Sequence, residues 1–115
     1  MQPGQCDLNE FELAILLHLC EKHCSLRPFI DHLRVLSREF TGVGSYTKLR
    51  SLHSGMELGE QKMMLDTSIY LPSVPSGLGA MLFCKNGVPN ILEIYTYGDE
   101  HWDGIFDGFQ IVCKN

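Results

Sequence analysis

Apolar residues recur at helical three- and four-residue steps only in the first part of this chain. Between residues 8 and about 24, Leu8, Phe11, Ile15 and Leu19, with Leu16 and Cys20, line one stripe of a helix. After Leu33 that spacing stops. The remainder of the chain is a series of short apolar or alternating runs broken by Gly, Pro and Asn. Helices first and strands afterwards predict one α+β domain over residues 1–115. Its N-terminal helices are expected to pack on one face of a single antiparallel sheet of about five strands.

Local signals fill in that outline. Asp7-Leu8-Asn9-Glu10 reads as a D-x-x-E capping box, with a carboxylate at the positive end of the helix. Leu13, Ala14 and Leu17 widen the apolar stripe, which predicts a helix sandwiched between layers. Ser25 is placed to cap a second, shorter helix through Pro28, Ile30 and Leu33. Extended chain is expected over 35–40, 45–52, 62–71, 80–84, 91–97 and 109–113. Thr41-Gly42-Val43-Gly44 and Gly77-Leu78-Gly79 read as turns, Ser54-Gly55 and Gly59-Glu60 bracket a loop, and Asn86-Gly87 is a two-residue hairpin signal.

Several chemistries lack their signatures. The first six residues carry no basic stretch, and no run of about 18 apolar residues occurs, so neither a secretion signal nor a membrane span is expected. Five cysteines, Cys6, Cys20, Cys24, Cys84 and Cys113, show no disulfide-scaffold spacing, and the reading is a reduced, cytoplasmic protein. Cys20 and Cys24 share a helical face near His18 and His23, but the C-x₂-C knuckle of a structural zinc site is missing. The two Gly-x-Gly pieces lack the third glycine of a dinucleotide fingerprint and the Lys-Ser/Thr of a P-loop. No metal and no cofactor are expected. Asp99, Glu100 and Asp103 around His101 are the densest carboxylate group, and their Gly-punctuated setting reads as solvated loop before acid–base catalysis.

Charge is more informative by segment than in total. Residues 1–85 hold 9 acidic and 8 basic side chains, whereas residues 86–113 hold 5 acidic and no basic ones, so the formal net charge of −5 is local. Those carboxylates are interleaved with aromatics. Glu93, Tyr95, Tyr97, Asp99, Glu100, His101, Trp102, Asp103 and Asp107 together read as a partner-binding surface for a basic protein, with charges steering the encounter and aromatics anchoring it. Basic residues elsewhere are mixed with acidic ones and form no stripe, which argues against nucleic acid as the partner.

Leu36-Ser37-Arg38-Glu39-Phe40-Thr41-Gly42-Val43-Gly44, the stretch from Val74 through Gly77-Leu78-Gly79 to Phe83, and Leu92-Glu93-Ile94-Tyr95-Thr96-Tyr97-Gly98-Asp99-Glu100-His101-Trp102 resemble a family of small bacterial cytosolic proteins, as does the Glu10-Phe11-Glu12-Leu13 helix start. That resemblance implies a bacterial cytosolic protein and carries no catalytic residues with it. In type, a small acidic domain of this kind is also similar to the immunity proteins of polymorphic and contact-dependent toxin systems. The resulting expectation is an inhibitor, not an enzyme, that occludes the active site of a cognate toxin, a basic nuclease domain. The alternative is a small ligand-binding domain or enzyme with a pocket between helices and sheet, using His101, Glu93 or Cys84.

Overall fold

The protein is described here by a computed structural model that covers residues 7–53, 55 and 58–113. Expectations placed on residues 1–6 and on Ser54 lie outside those residues. The elements are α1 (Glu10–Cys20), a 3₁₀ turn (Cys24–Leu26), α2 (Arg27–Ile30), β1 (Leu33–Phe40), β2 (Gly44–Ser51), β3 (Gln61–Met64), β4 (Thr67–Leu71), β5 (Val74–Lys85), β6 (Val88–Thr96) and β7 (Gln110–Cys113). The fold is α+β, with two short helices and an all-antiparallel seven-stranded sheet.

The helix start differs from the expected one by two residues. Asn9, in extended conformation, is the cap: its Oδ1 accepts from the Glu12 N–H at 2.7 Å, and its own N–H donates to Glu12 Oε1 at 2.9 Å. This is a complete capping box, but it uses Asn9 and Glu12 in place of Asp7 and Glu10. The shift puts Phe11, Ile15, Leu16 and Leu19 inward together. Leu13 and Leu17 stay largely exposed, so α1 lies on the surface of the core and is not sandwiched. Ser25 falls inside the 3₁₀ turn and caps nothing; α2 begins without a side-chain cap, with Pro28 in its first turn as expected.

The strands run β1-β2-β6-β5-β4-β7, with β3 also paired to β5. The sheet exceeds the expected strand count partly because the single run read over 62–71 is divided. Met64 pairs with Met81, Leu65 N–H still donates to the Ala80 carbonyl at 2.9 Å, and pairing resumes with Ile69 opposite Leu78. β3 and β4 thus follow one another along the same edge of β5, separated where Leu65 turns into the core and Asp66 turns out to pair with Lys22. The β5–β6 hairpin closes on Asn86 (φ 56) and Gly87 (φ 83), two successive left-handed residues of the kind a type I′ turn needs. Gly77-Leu78-Gly79, read as a turn, is instead the middle of β5.

One face of the sheet is covered. Val35, Leu49, Leu92, Ile94, Leu78, Ala80, Leu82, Met63 and Ile69 join Phe11, Ile15, Leu16, Leu19, Leu26 and Phe29 in one buried cluster. The helices supply only part of the covering layer. The segment 97–109 completes it: Phe11 stacks on Phe106 at 5.3 Å and meets the edges of Trp102 at 6.0 Å and Phe109 at 5.0 Å. Glu12, 2% exposed, ties α1 to this face. Its carboxylate accepts from Arg38 Nε and Nη2, both at 2.7 Å, and from Thr47 Oγ1 at 3.2 Å.

Candidate protein-docking face

Alternation along the strands assigns every second residue to the opposite face, which no described element covers. The registers align its side chains in rows. Glu39, Tyr46, Glu93, Met81 and Met64 are successive cross-strand partners from β1 through β2, β6 and β5 to β3. The next row is Ser37, Lys48, Ile91, Phe83 and Lys62. Toward the other end of the sheet, Tyr95 stands opposite Gly79.

All four tyrosines of the chain, Tyr46, Tyr70, Tyr95 and Tyr97, belong to this open face. Phe11, Phe29 and Trp102 are buried in the core on the other side. Tyr95 lies over Gly79 so closely that a Cβ there would stand 2.6 Å from its ring. Tyr97 meets Tyr95 edge-on, with centroids 5.8 Å apart and an interplanar angle of 85°. Tyr70 and Tyr97 both approach Gly77, within 3.7 and 3.5 Å of where a Cβ would be. The two glycines inside β5 therefore make room for rings laid on the strand. Tyr46, Tyr70 and Tyr97 remain 43, 45 and 49% exposed. Burial, then Tyr97 and Glu93, push the Tyr95 phenol above its usual range, and Glu93 does the same to Tyr46. Both stay neutral donors near pH 7.

The sequence-derived surface is split by the fold. Glu93, Tyr95 and Tyr97 share the open face. Asp99 and Glu100 stand at its end, in the loop after β6; Glu100 Oε2 accepts from Ser76 Oγ at 2.7 Å and Ser76 N–H at 3.2 Å. The Ser76 hydrogen bond holds the Glu100 carboxyl below its ordinary value. His101 is exposed and lies near Gly42 in the β1–β2 turn. Asp103 and Asp107 are exposed, and Asp103 Oδ1 accepts from the Ile105 N–H.

Trp102 is not on the surface at all. It is 2% exposed, its N–H donates to the Gly42 carbonyl, and its Nε1–H donates to the Ile105 carbonyl at 3.0 Å. A large ring with its one donor satisfied locally belongs to the core. The sequence pattern did not single out Tyr46, Tyr70 or Glu39 for this face. Tyr46 stands between Ser45 and Thr47, polar residues that the fold buries, so polarity alone does not mark it, and Tyr70 joins only through the β6-β5-β4 order.

The open face has the make-up of a docking surface. It exposes tyrosine, methionine and aliphatic surface in contiguous rows, the composition of protein interfaces. Its end around Tyr70, Tyr95 and Tyr97, built from residues 40–45, 70–79 and 95–101, contains no Lys or Arg, while Tyr46 stands in the row next to Lys48 and Lys62. Phosphate would find no cation at the tyrosine end. Between α1 and the sheet, the space beside Glu12, Arg38, Phe40 and Trp102 holds about 20 Å³, room for a water but not for a substrate. Cys84 sits buried near the Asn86-Gly87 turn, at the opposite end of β5 from the His101 region, and burial lifts its thiol to about 11. His101, Glu93 and Cys84 are not brought together.

Among the described residues no three His, Cys, Asp or Glu side chains are grouped to hold a metal ion, and no helix is long and apolar enough to cross a membrane. No protein-family model, no curated protein and no solved structure matches the chain.

Proposed function

We propose that this chain is a protein-binding inhibitor: an immunity protein that neutralises a cognate bacterial toxin, a basic nuclease domain, by occluding its active site. The docking surface in this proposal is the open sheet face, with Glu93 in its middle, Asp99 and Glu100 at its end and the acidic loop beyond it. The observation that carries the reading is the gathering of all four tyrosines on the one uncovered face, with Tyr70, Tyr95 and Tyr97 at an end that holds no Lys or Arg. Tyrosine gives large contact area with few rotatable bonds and a polar tip, which suits a surface that is wet when free and buried when bound. The surrounding carboxylates favour a partner rich in Lys and Arg, which a nuclease needs for phosphate.

The test is co-expression with the polypeptide encoded immediately beside this one, followed by affinity capture and by growth measurements when that polypeptide is toxic. The expected result is a complex and restored growth, with association slowing as salt is raised. Tyr70→Lys combined with Tyr97→Lys places two cations on the face and is expected to abolish capture while the chain stays folded by circular dichroism. No complex with the adjacent polypeptide, or a complex indifferent to the double substitution, refutes the reading.

A further inference from the structure

We infer that the open face receives an arginine side chain of its partner against Tyr46, with Glu39 and Glu93 on either side of the guanidinium. The inference rests on the docking role proposed for this face and adds which partner group it selects and where. Tyr46 is the register partner of both Glu39 and Glu93, so the three form a straight row across three strands. Strands lie about 4.8 Å apart, which sets the Cα atoms of Glu39 and Glu93 roughly 10 Å from each other with Tyr46 between them, and the Tyr46 phenol hydrogen-bonds to Glu93. Neither Glu39 nor Glu93 has an ion-pair partner among the described residues. Beside the row, a depression of about 270 Å³ is lined by Ser37, Glu39, Tyr46, Lys48 and Ile91.

A cation over the half-exposed ring would be attracted by the ring's negative face and by both carboxylates at once. Lys48, one row away, limits the position to a single positive charge and disfavours a second cation farther along β2. Arginine fits better than lysine. Its guanidinium is planar, stacks on aromatic rings, loses hydration more readily than an ammonium, and can fork to a carboxylate.

The full chain would be titrated with hexa-arginine, hexa-lysine and hexa-citrulline peptides, followed by amide NMR shifts and calorimetry, with light scattering to report its oligomeric state. The expected result is saturable shifts centred on Tyr46, Ile91 and Glu93. Hexa-arginine should bind about two- to five-fold more tightly than hexa-lysine, the gain of one exposed cation–π contact, and hexa-citrulline should not bind. Tyr46→Leu should erase the arginine preference but keep residual charge attraction; Glu93→Gln should weaken both cationic peptides. Equal affinity for arginine and lysine, shifts confined to residues 99–107, or a stable dimer of this chain through Tyr46 would overturn the inference. Capture of the adjacent polypeptide unaffected by Tyr46→Leu would remove the arginine site and leave the inhibitor reading in place. Failed capture with the arginine preference intact would remove the inhibitor reading alone.

Discussion

Replacing Arg38 with Met should destabilise this protein more than replacing Glu12 with Gln, although both break the same ion pair. The Glu12 side chain is 3% exposed and the Arg38 side chain 25%. Two unit charges about 4 Å apart attract by about 4 kcal/mol at an effective dielectric near 20. Without Arg38, Glu12 keeps the Asn9 N–H and the Thr47 hydroxyl as donors but no countercharge. Breaking a buried pair from the side that strands the charge costs roughly 3–5 kcal/mol, and the partial exposure of Arg38 argues for about 3. With Glu12→Gln, the charge left behind is that of Arg38, which is more exposed and still donates to the Asp7 carbonyl, and the amide oxygen still accepts from the Asn9 N–H; the cost should be about 1–2 kcal/mol. Urea unfolding of each variant reads the difference. At a slope of about 1–3 kcal/mol per molar urea, Arg38→Met should lower the midpoint by about 1–3 M with an unchanged slope. The double variant Glu12→Met/Arg38→Met should cost less than the sum of the single changes by about 1–3 kcal/mol. A midpoint shift for Arg38→Met below about 0.5 M, or equal costs for the two single variants, would refute the burial asymmetry.

Three further outcomes are expected of the same structure. Gly79→Ala, which in an open strand would gain about 0.5–1 kcal/mol, is expected instead to destabilise and to displace the Tyr95 ring, seen as lost ring-current shifts at Tyr97. Unchanged ring shifts with a raised melting temperature would contradict the close approach. Glu100 titrates below its unfolded value of 4.5 because Ser76 donates to its charged form, so its contribution is present above pH 4.5 and lost as pH falls through the lower folded value. Glu100→Gln should therefore lower the urea midpoint at pH 7, and by less as the pH is taken below 4.5; a difference that does not shrink in acid would show that the effect is not tied to the charge of Glu100. In native protein at pH 8, iodoacetamide should modify the exposed Cys24 before the half-buried Cys20 and leave Cys84 unmodified, as read by peptide mass mapping. Early labelling of Cys84 would show that the end of β5 opens readily.

Signals carried by a few adjacent residues were legible in the sequence. Asn86-Gly87 names its own turn because two successive left-handed residues require those side chains. The α1 stripe is legible for the same reason, since three- and four-residue spacing is a local property. Its starting cap was misplaced by two because Asp7-x-x-Glu10 and Asn9-x-x-Glu12 are equivalent patterns. The tertiary bonds from Arg38 and Thr47 to Glu12 distinguish them. Ser45 and Thr47 are buried in β2, which hid the alternation that puts Tyr46 outside. Trp102 lies in a segment with no period at all, so nothing local says that it belongs to the core. The tyrosine face depends on strand order, and Tyr70 and Tyr97 both come up to Gly77 only once β4 and β6 have flanked β5.

The covering layer over the sheet is shared between α1 and the segment 97–109, and this bears on how the chain is made. Phe11 emerges from the ribosome about ninety residues before the rings that enclose it, so α1 has no finished surface to dock on during most of synthesis. β2 likewise waits for β6, since its inner neighbour in the sheet is made more than forty residues later. Such long-range closures slow folding and favour one late, cooperative collapse over stepwise growth. Until that moment the helix exposes Phe11, Ile15 and Leu19, and the nascent chain is at its most vulnerable to holdase capture and proteolysis.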